Sequence, residues 1–119
     1  MKKKSIILIG GEGYIGKIVS SFFLKKNFKV HSIDNFIYNQ SFKNQKSNKN
    51  FSLLKINFAN KKIFSYLDKL EHENLIILGS IVGDPITKKY PKITKKISLK
   101  ATEKLLKYAL KKKFKRVIF

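Results

Sequence analysis

Gly10, Gly13 and Gly16 recur at every third position between an apolar run and a helix-like pattern, and Asp34 closes the apolar stretch that follows. The chemistry open to such a set is the binding of a diphosphate joined to a sugar. Glycine at the first place lets the chain turn sharply out of a strand. At the second it lets the backbone approach a pyrophosphate, and at the third it lets the helix pack close to the sheet. The amides exposed at the helix start, with the positive end of its dipole, attract the anion. A carboxylate at the end of the neighbouring strand accepts both hydroxyls of an adenosine ribose and repels a 2′-phosphate, which favours NAD over NADP. Glu12 falls inside the loop, where a carboxylate aimed at phosphate is unfavourable, so it is expected to face water.

These residues act only if strands and helices hold them in place, and the sequence supplies both in alternation. "SIILI", Ser5 to Ile9, is a continuous apolar run, as expected of a strand buried on both faces. Tyr14, Ile15, Ile18, Val19, Phe22 and Phe23 repeat at helical spacing to about Lys26, and Asn27 stands where a left-handed cap is wanted. "FKVHSID" is a second strand ending at Asp34, "FSLLKINF" a third, and "NLIILGSIVG" a fourth with its exit. Ile63, Phe64, Leu67 and Leu70 mark one helical face, and Ile93, Ile97, Ala101, Leu105 and Ala109 another. "NQSFKNQKSNKN" reads as a loop, Asp84-Pro85 as a break, and "KRVIF" as a fifth strand whose Val117 to Phe119 form an apolar edge. Alternation of this kind implies an α/β fold: a Rossmann-like doubly wound parallel sheet of five strands, order 3-2-1-4-5, cut off after the fifth. Residues 1–119 read as a single, incomplete domain.

Composition narrows the function classes. The chain has no cysteine, which excludes disulfides and thiolate metal sites and points to a reducing compartment, the cytoplasm by default. No stretch is long enough to span a membrane, and the lysine-rich N-terminus is followed too soon by glycines to be a signal peptide. The net charge of +20 invites a nucleic-acid reading. It is disfavoured because Arg116 is the one arginine, the lysines are scattered, and abundant Lys, Asn, Ile and Phe share A/T-rich codons.

The joint pattern resembles the first half of the NAD-dependent epimerase/dehydratase family, extended short-chain dehydrogenases that act on nucleotide sugars. "GGEGYIG" is similar to its GGxGYIG fingerprint, and "IDNF" to the acid-Asn ending of its second strand. "LIILGSIVGDP" resembles its fourth-strand motif, and "ISLKATEKLLKYALKKKFKRVIF" its next helix and fifth strand. The resemblance implies that Gly10, Gly13, Tyr14, Ile15 and Gly16 surround the pyrophosphate and that Asp34 and Asn35 hold the ribose. It further implies that Asn57 and Phe58 flank the adenine, while Leu78, Gly79 and Ser80 lie near the nicotinamide end. Three departures stand out: Ile9 for a frequent Thr, Asn57 for a usual Asp, and Ser98 for a frequent Asn.

Enzymes of that family also need a Tyr-x-x-x-Lys pair beyond the fifth strand, the Tyr as acid/base and the Lys to lower its pKa. The chain holds one such spacing, Tyr108 and Lys112, but it precedes the fifth strand on a helix expected to cover the sheet. Tyr108 therefore reads as packing. His31, His72 and the run Glu71-His72-Glu73 lack the arrangement of a metal site, and Asp84 and Thr87 could line a substrate mouth. The expected function is the NAD-binding N-terminal portion of a nucleotide-sugar epimerase or dehydratase, without turnover alone, completed by a C-terminal half or a second copy. The alternatives are a basic module for nucleic acid or another anion, and an NAD-sensing module.

Overall fold

In the computed structural model the described residues are 3–34, 48–57, 60–78, 92 and 96–119. Their elements are β1 (Ser5–Ile9), α1 (Tyr14–Lys25), β2 (Lys29–Asp34), β3 (Phe51–Lys55), α2 (Lys62–Leu67), β4 (Asn74–Ile77), α3 (Thr102–Lys111) and β5 (Arg116–Ile118). A π-helical segment, Lys96–Ala101, runs directly into α3. The five strands form one parallel sheet in the order β3-β2-β1-β4-β5, as the alternation of strands and helices requires. The chain runs outward from β1 through β2 to β3, and on the other side through β4 to β5. The order therefore reverses between β1 and β4, and the crevice beyond their carboxyl ends is where such sheets take ligands.

β1 is the centre of the molecule, buried along its whole length because it is paired on both edges and covered on both faces. Its side chains alternate. Ile6 and Leu8 join Val30 and Ile76 under Val19, Phe23 and Leu24 of α1. Ile7 and Ile9 join Ile33, Leu75 and Ile77 under Ile63 and Leu67 of α2 and Leu105 and Ala109 of α3. Two apolar layers thus fix the sheet, and with it the height at which the glycine turn leaves β1.

α1 ends at Lys25, and Asn27 takes φ 66°, the left-handed conformation expected of it. The apolar residues that mark α1 in the sequence divide between two faces: Val19 and Phe23 pack inward, as their spacing suggests, and the others do not. Tyr14, Ile15, Ile18 and Phe22 are exposed, Tyr14 to 74%, whereas Gly16, Lys17 and Ser20 are buried. The helix start lies in backbone contact with the turn, so small residues and one buried lysine occupy the closest approach. Val117 and Ile118 of β5, and Phe119 after it, are exposed.

Candidate functional site

The turn between β1 and α1 is held against β2 by its own backbone. The N–H of Gly10 donates to the carbonyl of Ile33 at 2.7 Å and that of Gly11 to the same oxygen at 3.4 Å. Gly10 has φ 84°, a conformation that a side chain disfavours, and this lets the chain bend away from the strand. The other glycines divide into two kinds. A Cβ at Gly16 would lie 2.6 Å from the Gly11 carbonyl carbon and 2.7 Å from the Gly10 oxygen, so the third glycine lets the helix pack on the turn itself. A Cβ at Gly13 would meet nothing nearer than the Gly10 oxygen, at 3.6 Å. Within the protein Gly13 has room for a side chain, and the space beside it is a cradle that a Cβ would fill.

Gly13 is also the residue before α1, with extended backbone and no side-chain cap. The Lys17 N–H donates to its carbonyl at 3.0 Å. The preceding amides of the first turn have no intrahelical acceptor, and no acidic residue stands among them to neutralise the dipole.

Asp34 ends β2 beside this turn, and its Oδ2 accepts the main-chain N–H of Glu12 at 2.9 Å. The sequence therefore brings Gly10, Gly13, Tyr14, Ile15, Gly16 and Asp34 to one place. Leu78, the residue after β4, lies beside the turn, its N–H donating to the Ile9 carbonyl at 2.7 Å and its side chain packing on the α1 side of the sheet. Asn57 follows β3, next to Ile56, whose N–H reaches the Asp34 carbonyl at 2.9 Å. Asn35, Phe58, Gly79, Ser80, Asp84 and Thr87 lie outside the described residues.

Glu12 corrects the expectation drawn from its position in the loop. It does not face water: it is 4% exposed, and its Oε2 accepts the Ser32 hydroxyl at 2.9 Å. The carboxylate is enclosed against β2, with the Ser32 hydroxyl as a donor. Lys17 is 2% exposed; burial lowers its pKa, while Glu12 and then Asp34 act in the opposite direction. Gly11 has a packing role that its place in the loop does not announce. A Cβ there would lie 2.2 Å from Ser32 Oγ, and the signal is that Ser32 sits two residues before Asp34 on the same strand face.

Tyr108 lies in a packed cluster on the α2 and α3 side of the sheet. Its hydroxyl donates to Asp68 Oδ1 at 2.5 Å, and its ring packs on Phe64 and Phe114. Burial first, and then Asp68, push its pKa upward, opposite to the shift an acid/base tyrosine needs. The Tyr108 hydroxyl, and after it Lys112, hold the Asp68 carboxyl below its ordinary value. His72 stacks on Phe114, and His31 Nδ1 lies 2.7 Å from Ser52 Oγ. Among the described residues no group of three His, Cys, Asp or Glu side chains could hold a metal ion, and no helix is long and apolar enough to cross a membrane.

Residues 6–119 match the NAD dependent epimerase/dehydratase family. The chain belongs to that family. Three solved structures show how far the likeness extends. A UDP-N-acetylglucosamine 4-epimerase from Methanobrevibacter ruminantium M1, in complex with UDP-N-acetylmuramic acid, is 27% identical with a TM-score of 0.80; the match covers 100% of this chain and 38% of that one. UDP-glucose 4-epimerase of Thermotoga maritima, with UDP-glucose, is 21% identical with a TM-score of 0.80, over 97% of this chain and 37% of that one. WbmG of Bordetella bronchiseptica, in complex with NAD, is 16% identical with a TM-score of 0.83, over 98% of this chain and 36% of that one. This member of the epimerase/dehydratase family thus spans little more than a third of the solved chains it matches.

Proposed function

We propose that residues 1–119 form a single NAD-binding unit of a protein acting on nucleotide sugars. The observation that carries the reading is the open space beside Gly13 at the start of α1, in a turn whose neighbouring Glu12 amide is bound to Asp34. Gly10, Gly13, Tyr14, Ile15 and Gly16 surround the diphosphate. Asp34, with Asn35, holds the adenosine ribose and disfavours a 2′-phosphate, so NAD is preferred to NADP. Asn57 and Phe58 flank the adenine, Asn57 meeting an amino group through its side-chain carbonyl. Leu78, Gly79 and Ser80 line the nicotinamide end.

When bound, NAD would supply a hydride acceptor and later donor for a sugar carbon. The residues of this chain bind and orient it. Tyr108 and Lys112 move no proton in that step, because their partners are Asp68 and the aromatic cluster. The unit alone binds NAD without turnover, and the nucleotide-sugar half and the acid/base pair come from further chain or a partner. Calorimetry with NAD on the wild type and Gly13→Val tests this. Saturable binding that the variant loses supports the reading; equal binding by both, or none by the wild type, ends it.

A further inference from the structure

The turn that would hold the diphosphate is braced from below by charged residues to which the NAD reading gives no part. Glu12 grips β2 twice. Its carboxylate accepts the Ser32 hydroxyl, and its main-chain N–H donates to Asp34 Oδ2, each at 2.9 Å. Ser32 and Asp34 are alternate residues of one strand and so share a face. Ser32 is fully buried, with the Gly11 backbone close against its hydroxyl, so this end of the brace cannot swing away. A carboxylate as enclosed as Glu12 needs donors and a nearby cation. Lys17 enters the same space from the first turn of α1, itself buried, with Glu12 the foremost carboxylate acting on its ammonium and Asp34 the next.

We propose that Glu12 is a positioning residue for the ribose-binding carboxylate. Pinned to Ser32, it keeps its own amide on Asp34 and so aims that carboxylate at the diol of an adenosine ribose. The inference rests on the NAD reading of the turn and adds a division of labour within it. The glycines and helix amides receive the diphosphate whether or not Glu12 is present, whereas the ribose contact depends on it.

The test compares affinities for ADP-ribose and for its 2′-deoxyadenosine counterpart, a ratio that reads the Asp34–ribose contact directly. The wild type should prefer the hydroxylated ligand by roughly tenfold or more, as expected for a hydrogen bond to a charged group. In Glu12→Ala the ratio should fall towards unity while the deoxy ligand still binds. Ser32→Ala removes the pin without emptying as much space and should lower the ratio in the same direction; it serves if Glu12→Ala does not fold. A folded variant that weakens both ligands alike and keeps the wild-type ratio overturns the positioning role and leaves the NAD reading intact. A wild-type ratio of one overturns the ribose contact of Asp34 itself, and the positioning role with it.

Discussion

Replacing Gly11 and Gly13 separately by alanine should divide the turn into a part that serves packing and a part that serves a ligand. At Gly11 the new Cβ would stand 2.2 Å from Ser32 Oγ, 3.0 Å from Ser32 Cβ and 3.1 Å from Leu8 Cβ. Ser32 and Leu8 are both fully buried, so neither can yield into solvent. Overpacking of this kind costs about 1–3 kcal/mol. Displacing the Ser32 hydroxyl from the Glu12 carboxylate adds about 1 kcal/mol or more. The sum, about 2–4 kcal/mol, corresponds to a fall in melting temperature of roughly 8–16 °C for a chain of this size. At Gly13 the nearest atom is 3.6 Å away and φ is −77°, which alanine adopts freely. Losing glycine at the helix cap and gaining a stiffer unfolded chain offset each other to within about 1 kcal/mol. Gly13→Ala should therefore melt close to the wild type yet bind NAD roughly tenfold more weakly or worse, a loss of about 1.4 kcal/mol per decade. Thermal unfolding followed by circular dichroism, paired with calorimetry, makes the comparison. A Gly13→Ala protein that melts as low as Gly11→Ala, or binds NAD as well as the wild type, would refute the division.

Asp34→Ala should weaken NAD binding by about 10–100-fold, the range of charge-assisted hydrogen bonds, and an unchanged calorimetric affinity would count against the ribose role. The pKa of Lys17 is lowered in the fold, so between that value and the ordinary one the unfolded chain binds the extra proton and stability rises with pH. Denaturant titrations at alkaline pH should show this slope in the wild type and its loss in Lys17→Met; equal slopes would contradict it. Burial lowers the His31 pKa below its ordinary value near 6.5, with Glu71 partly opposing, so the folded protein loses stability as pH falls through the window below that value. An NMR titration of the His31 ring placing its midpoint at or above 6.5 would rule that out.

The frame of the molecule was legible because burial on both faces and helical spacing are one-dimensional signals. "SIILI" could only be a central strand, Asn27 was where the left-handed cap fell, and a glycine turn between strand and helix called for the observed sheet order. The face of α1 was only partly legible, because apolar residues occupy both sides of it. Periodicity alone does not reveal that Gly16 lies on the turn and that Lys17 and Ser20 are buried while Tyr14 and Phe22 are exposed. The inward course of Glu12 was hidden for a related reason. A carboxylate is buried only where partners satisfy it, and its partners here come from β2 and α1, two elements whose juxtaposition the local sequence does not state.

The central claim is that a dinucleotide sits on the turn between β1 and α1 with its ribose at Asp34. Amide chemical shifts of the 15N-labelled chain during a titration with NAD test it most directly. Saturable shifts are expected at Gly10, Gly11, Glu12, Gly13, Tyr14, Ile15, Gly16 and Asp34, with little change at Lys3, His72 and Lys115, which share a shallow basin of about 450 Å³ with Glu71 and Glu73. Shifts spread over the lysines, or confined away from the glycine turn, would contradict it.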